Sequence, residues 1–369
     1  MPFCANKLPR EEESKKSCSN FLNCIRLGYN NGLLASQVPV SRKLKEFIIN
    51  KQGVSVVTTA RLHMGFFDLN GNLGRKFGSI GVSLDQPATS LRAFPAHDIQ
   101  VEGPGAKRGL KIATSIADAL QLSQGVRIQI ESAIPQHAGL GSGTQMSLAI
   151  GSAINQLFNL GLNLRDIAVL TSRGARSGIG LGTFAQGGVI VDGGRGEGTD
   201  VPPIIARAEF PEHWRIILMF DRSHTGVHGA EEREAFRRLP EFPADSAAVL
   251  CRHLLMQALP ALAEHDLPAF GQAIRELQWR TGDHFAPAQG GRYASPVISR
   301  ILTQLETDGI DCVGQSSWGP TGFAVCADET DARVLLEALE SRYSHISEVE
   351  FLLCRGINSG AQISSCSIE

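Results

Sequence analysis

The segment that most restricts this chain is Ile134-Pro135-Gln136-His137-Ala138-Gly139-Leu140-Gly141-Ser142-Gly143-Thr144-Gln145. It joins two elements of different periodicity. Before it, Val126, Ile128 and Ile130 alternate with Arg127, Gln129 and Glu131, which predicts a half-buried strand. After it, Met146, Ile150, Ile154, Leu157 and Phe158 recur at helical spacing, and Gly161 suits the helix's end. Glycine lets the backbone take unusual conformations and approach a ligand closely. A helix start adds free N–H groups and partial positive charge. Two readings follow. One is an anion site for phosphate or diphosphate, with Ser142 and Thr144 as hydroxyl donors; the other is a tight turn that joins strand to helix. The spacing excludes two familiar nucleotide loops. No Lys-Ser/Thr follows, as in a Walker A loop, and G-x-G-x-G is not the dinucleotide-binding G-x-G-x-x-G.

The 369 residues suffice for two domains and a substantial core. Lys and Arg number 35 against 37 Asp and Glu, a balance that asks for neither nucleic acid nor an anionic membrane. A local arginine cluster for an anionic substrate remains compatible with it. Residues 1–50 form an extension, locally basic with charge runs and weak periodicity, either partly disordered or packed on the surface. A first domain over 51–205 opens on a β-branched strand at 54–60. It continues with a glycine-punctuated segment at 65–81 and a helix at 109–122. After the glycine loop and its helix come a helix at 164–176 and a strand at 187–191. A second domain over 206–369 has a buried strand at 215–220 and helices at 246–264 and 267–281. It ends as helix, strand, loop, strand, helix, strand, an α+β pattern. The eight cysteines show neither CxxC nor zinc-site spacing. No apolar stretch reaches the ~20 residues of a bilayer span, and no apolar leader opens the chain. A cytoplasmic protein with reduced thiols is the expectation.

Three segments, in order, resemble the motifs of the GHMP kinase superfamily: Ala60-Arg61-Leu62-His63-Met64-Gly65, the glycine loop with its preceding Pro135, and Gly314-Gln315-Ser316-Ser317-Trp318-Gly319-Pro320-Thr321-Gly322. The resemblance implies an α+β, GHMP-kinase-like fold. Its N-terminal domain would be like ribosomal protein S5 domain 2, and its C-terminal domain ferredoxin-like. Several kinases of that superfamily carry a catalytic Asp after the second motif. The matching stretch here, 176–187, holds no carboxylate, and Thr183 stands about where the acid would be expected. One branch matches in more detail. Residues 60–75, 78–82, 173–180 and 316–320 resemble ribofuranosylaminobenzene 5'-phosphate synthase. That resemblance implies joining of phosphoribosyl diphosphate to 4-aminobenzoate or 4-hydroxybenzoate. Carbon dioxide and diphosphate leave, on the route to tetrahydromethanopterin. It also implies Mg²⁺ as cofactor and a homodimer.

The reaction so implied needs negative charge stabilised on a departing diphosphate. Gly139, Leu140, Gly141, Ser142, Gly143 and Thr144 are the expected phosphate-binding residues. Arg61 and Arg75 in the catalytic set, and Arg173 and Arg176 for substrate, are candidates for two-pronged contacts to phosphate or carboxylate. His63 either moves a proton or is a satisfied structural histidine. Asp68 either binds Mg²⁺ and stabilises the developing sugar cation, or shapes a turn with Asn70-Gly71. Trp318 either stacks on the aromatic substrate or packs in the core. A second polar cluster at 221–231 carries His224 and His228 four apart, but Gly226 argues against a helix there. Substrate contact or helix capping is expected rather than zinc. Two other functions fit the same fold: an ATP-dependent small-molecule kinase and a non-catalytic phosphate-binding protein.

Overall fold

The structure is a computed structural model; it describes residues 52–317 and 319–367, apart from 225–233, 235 and 236. Strands β1 (Gln52–Val57), β2 (Ala60–Asp68), β3 (Arg75–Lys76), β4 (Gly78–Leu84), β5 (Ser90–Ala96) and β6 (Gln100–Glu102) precede helix α1 (Ala106–Leu120). Strand β7 (Gly125–Ser132) then leads through the glycine loop into α2 (Ser142–Leu157). Next come α3 (Leu164–Leu170), α4 (Ile179–Gln186), β8 (Val189–Asp192), β9 (Arg195–Gly196), β10 (Ile204–Ala208) and β11 (Arg215–Asp221). Helix α5 (Ala244–His253) runs through a π-helical turn (Leu254–Ala258) into α6 (Leu259–Glu264). The chain ends with α7 (Leu267–Gln289), α8 (Pro296–Thr307), β12 (Val313–Gln315), β13 (Gly322–Cys326), α9 (Glu329–Tyr343), β14 (Val349–Cys354) and β15 (Gln362–Ser367).

A five-stranded sheet has the order β15-β1-β5-β7-β6, and α1 and α2 cover one face of it. The helix residues Ile112, Ile116, Ile150 and Ile154 pack there against Val56, Leu91 and Ile128. A second sheet, β10-β8-β4-β2, lays Leu62, Met64, Ile80 and Val82 against Phe270, Ile274 and Leu277 of α7. The third sheet, β12-β13-β11-β14, has α8 and α9 as its crossover helices. Its chain order, strand-helix-strand-strand-helix-strand, with the last strand beside the first, is the ferredoxin-like arrangement expected of the C-terminal domain. Each fully buried Ile or Leu in these layers contributes about 1.5–3 kcal/mol.

Three local expectations give way, and one strand pairing is unanticipated. The segment at 65–81 is mostly strand, because β2 and β4 are buried on both faces and so lack the alternation that marks a half-exposed strand. The helix expected over 164–176 stops at Leu170, and α4 occupies most of the stretch 176–187 matched to the superfamily's acid-bearing segment. Strand β15 pairs antiparallel with β1, from Gln52↔Ser367 to Val57↔Gln362, which periodicity alone does not show. Ala244–Glu264 is long and apolar enough to cross a bilayer by length and composition, contrary to the sequence scan. Here it lays Leu250, Leu254, Ala258 and Leu262 into the core beside α7.

Candidate active site

The glycine loop is held open by its neighbours rather than by a capping side chain. Gly139 and Gly141 take φ of +79° and +78°, the left-handed region that favours glycine. Helix α2 starts at Ser142 with no side-chain cap and no acidic residue in its first turn. Its first intrahelical bond runs from Gln145 N–H to the Gly141 carbonyl (3.0 Å). The N–H groups of Ser142, Gly143 and Thr144 therefore have no partner inside the helix. Leu140 turns its side chain into the core and offers only backbone to the loop.

The C-terminal glycine-rich segment closes on this loop. Ser316 Oγ donates to the Gly139 carbonyl (2.8 Å) and Thr321 Oγ1 to the Ala138 carbonyl (2.6 Å). A Cβ at Gly139 would sit 2.7 Å from Ser316 O and 3.3 Å from Gly319 Cα, so the two backbones touch. From β2, Arg61 adds two braces: its N–H reaches the Leu140 carbonyl (3.2 Å) and its Nη1 the Gly139 carbonyl (2.5 Å). The first and third sequence motifs thus converge on the second.

Two arginines meet at the helix start. A Cβ at Gly143 would overlap Arg108 Nη2 and lie 3.2 Å from Arg173 Nη1. The two guanidinium ends are therefore within about 6 Å of each other, close enough to repel. Arg108, in the first turn of α1, also reaches Ser142 Oγ (3.4 Å), and Arg173 Nε reaches Ser147 Oγ (3.3 Å). Both are half-buried, and neither makes an ion pair with a described residue. Burial lowers the pKa of each, and for Arg108 the charge of Arg173 adds to the shift. The sequence reading passed over Arg108. Its only signal was a Lys-Arg pair between glycines at a predicted helix start.

His63 lies two residues along β2 from Arg61 and is 1% exposed. Its register partner is Gly81, so both share a face with Ser79 and, across β4, with Asp192. Neither ring nitrogen of His63 has a hydrogen-bond partner among the described residues, and its ring packs on Phe66 at 4.6 Å. Burial, then the cations of Arg61 and Arg176, push its pKa well below the ordinary histidine value. His63 is therefore neutral at physiological pH, and the sign of the linkage follows. Above about pH 6.5 both folded and unfolded imidazoles are neutral. Below it only the unfolded one takes up a proton, so stability falls as pH drops towards the folded pKa. The expected contribution is up to about 1.4 kcal/mol per pH unit, absent in His63→Asn. Urea midpoints of both proteins between pH 8 and 5 measure it; parallel acid slopes would refute a buried neutral His63.

Asp192 is the other residue missed in the sequence. It is fully buried and accepts from Ser79 Oγ (2.6 Å), Ser177 Oγ (2.9 Å) and the N–H groups of Gly178 (2.9 Å) and Gly194 (2.8 Å). Burial raises its pKa, although these four hydrogen bonds oppose the rise. It ties the start of α4 to the sheet. Thr183 is fully buried; its Oγ1 donates to the Gly180 carbonyl of its own helix (3.3 Å) and accepts from Gln145 Nε2 at the start of α2 (3.4 Å).

Asp68 and Arg75 are not brought to the glycine loop. Asp68 ends β2, roughly 20 Å along the strand from Arg61 at about 3.3 Å per residue. Its Oδ1 accepts from the N–H groups of Asn70 (2.9 Å) and Gly71 (3.4 Å), the turn-shaping alternative. Arg75 is exposed and donates to the carbonyls of Gly193 and Gly194 (2.7 Å each). Trp318 and residues 225–231 of the second polar cluster lie outside the described residues. Of that cluster, Asp221 accepts from Ser223 Oγ (2.6 Å) and Ser295 Oγ (2.6 Å). A cavity of about 890 Å³ behind the loop, between Pro135–Ala138 and Phe220–Arg222, holds none of the arginines described above.

A ferredoxin-like C-terminal half, joined to a half whose glycine loop opens a capless helix, defines a GHMP-type enzyme fold. Family models agree: GHMP kinases N terminal domain matches residues 108–204, and GHMP kinases C terminal matches residues 258–345. The solved complex of MDDEF with MVAPP, AMPPCP and magnesium shares the fold, at TM-score 0.59 and 15% identity, over 85% of this chain and 99% of that one. Two archaeal relatives are closer in sequence. Beta-ribofuranosylphenol 5'-phosphate synthase of Archaeoglobus fulgidus is 33% identical over 73% of this chain and 86% of its own. The enzyme of the same name from Methanocaldococcus jannaschii is 33% identical over 73% and 88%. The chain belongs to the beta-ribofuranosylphenol 5'-phosphate synthase family.

Proposed function

We propose that this chain joins phosphoribosyl diphosphate to 4-hydroxybenzoate, releasing carbon dioxide and diphosphate. The observation that carries this reading is the concentration of Arg61, Arg108 and Arg173 around an uncapped helix start with no acidic first turn. Phosphoribosyl diphosphate brings about four to five negative charges at neutral pH, in two separate groups. The phenol in the relatives' name favours 4-hydroxybenzoate over 4-aminobenzoate as acceptor.

In this reading the bond between ribose C1 and the diphosphate oxygen breaks with both electrons leaving on diphosphate. The ring carbon that bears the carboxylate forms the new bond to C1. The bond from that carbon to the carboxylate then breaks, its electrons restore the aromatic ring, and carbon dioxide departs. No net proton is consumed. The loop amides and the arginines stabilise the charge gathering on diphosphate. Neutral His63, whose ring nitrogens have no hydrogen-bond partner among the described residues, takes the phenol proton and returns it. Arg176 supplies positive charge beside His63 for the acceptor's carboxylate.

The residues around the loop do not make a magnesium cage. Among the described residues no cluster of three His, Cys, Asp or Glu could hold a metal, and the Asp68 carboxylate is engaged by its own turn. A magnesium ion would be held by the diphosphate oxygens of the donor rather than by these residues, and would offset negative charge there. The reading includes a homodimer, as the sequence resemblance implied, and a cytoplasmic location, as expected from the cysteine pattern.

The test incubates the full chain with phosphoribosyl diphosphate, Mg²⁺ and carboxyl-labelled 4-hydroxybenzoate. Equal release of labelled carbon dioxide and diphosphate is expected. ATP consumption with a hydroxylated acceptor and no carbon dioxide would replace this reading with a kinase. Phosphate binding without turnover would leave a binding protein.

A further inference from the structure

Arg108 and Arg173 form an arrangement that is costly without a ligand. Two half-buried guanidinium groups lie within about 6 Å of each other at the positive end of α2. No described carboxylate pairs with either. On β2, two residues from Arg61, His63 is 1% exposed, and neither of its ring nitrogens has a hydrogen-bond partner among the described residues. An anion between the arginines would relieve the repulsion and use the N–H groups of Ser142, Gly143 and Thr144.

The number of donors decides the kind of anion. Each guanidinium is a planar fork that matches two oxygens of one acid group. A carboxylate or a single phosphate occupies one fork well and leaves the other charge only partly answered. A diphosphate presents one phosphate to each fork. Gly143 has a specific part in this. Its φ is an ordinary helical one, so no turn requires glycine there. A side chain at this position would instead displace the Arg108 guanidinium.

We propose that Arg108 and Arg173 are a two-fork clamp for the diphosphate of the ribosyl donor, and that Gly143 lacks a side chain so that Arg108 can reach it. The proposal rests on the synthase reading above and adds to it Arg108, which governs donor affinity and not acceptor affinity.

The experiment uses the full chain as wild type, Arg108→Ala, Arg108→Lys, Gly143→Ala and the double variant Arg108→Ala/Gly143→Ala. Inorganic pyrophosphate binding is followed by titration calorimetry, and KM is measured separately for phosphoribosyl diphosphate and 4-hydroxybenzoate. Losing charged hydrogen bonds from one fork is expected to raise the pyrophosphate Kd and donor KM of Arg108→Ala about 10–100-fold, with acceptor KM within about twofold. Arg108→Lys keeps the charge but loses the fork and recovers only part of the affinity. Gly143→Ala imitates Arg108→Ala, and the double variant is no worse than the weaker single. Thermal melts confirm that each variant is folded. Wild-type pyrophosphate affinity in folded Arg108→Ala, or additive losses in the double variant, would overturn the clamp. A wild-type protein that binds pyrophosphate through Arg108 but never turns over phosphoribosyl diphosphate would sink the synthase reading and leave the clamp standing.

Discussion

Gly139→Ala is expected to lower turnover at least about 100-fold and to destabilise the fold by about 2–4 kcal/mol. Two costs combine. An alanine at φ +79° carries left-handed strain of about 1–2 kcal/mol. Its Cβ would also lie 2.7 Å from the backbone oxygen of Ser316 and 3.3 Å from Gly319 Cα, and backbone cannot swing aside as a side chain end can. The two glycine-rich segments must separate, which breaks the Ser316 and Thr321 hydrogen bonds to the loop. The free N–H groups at the start of α2 then lose their alignment on the diphosphate. Gly161→Ala isolates the first cost. It has φ +69° with open space around the added carbon, so only the strain of about 1–2 kcal/mol is expected and turnover stays normal. Urea denaturation and steady-state assays on both variants decide the matter. Near-normal turnover in Gly139→Ala would show that the contact between the two loops is not needed for catalysis.

The second large effect is expected at Arg61. Its alanine variant should lose about 10²–10³-fold in kcat/KM while remaining folded, the scale for removing one donor that organises an anion site. Arg61 holds the loop by its backbone N–H and its guanidinium, and only the guanidinium is lost on mutation. A further readout separates this role from simple packing. The Arg61 cation is the second largest cause, after burial, of the low pKa of His63. Arg61→Ala should therefore move the acid limb of the pH–rate profile upwards, towards the ordinary histidine range. Arg61→Lys should keep the limb where it is, since the charge remains, but restore little turnover because the planar fork is gone. An unshifted acid limb in Arg61→Ala would disconnect His63 from Arg61.

Local chemistry made part of this protein readable from the chain alone. The strand before residue 134 and the helix after 141 announce themselves by periods of two and 3.6. Helix α8 (Pro296–Thr307) and strand β14 (Val349–Cys354) are the first and last members of the helix-strand alternation expected at the end of the chain. The glycine loop and the residues similar to known motifs were legible for the same reason, since a motif is a local property. Arg61, His63 and Arg173 were named on that basis; the structure brings Arg61 and Arg173 to the loop and sets the His63 backbone against Ser316 and Ser317, in the segment that closes on it.

Tertiary structure decided the rest. Strands β2 and β4 are buried on both faces, which erases the alternation by which a strand is recognised. Strand β15 owes its place to a partner more than 300 residues away, and no local pattern encodes that pairing. Arg108 looked like any surface arginine until α1 packed beside α2 and carried it to Gly143. Asp68 stands only five residues beyond His63 in the chain, yet an extended strand advances about 3.3 Å per residue and carries it away from the loop, and Arg75 follows beyond the turn that ends that strand. Periodicity and motif are properties of neighbours in the chain. The charge and burial of the site are properties of neighbours in space, and these exist only once the sheets and helices have packed.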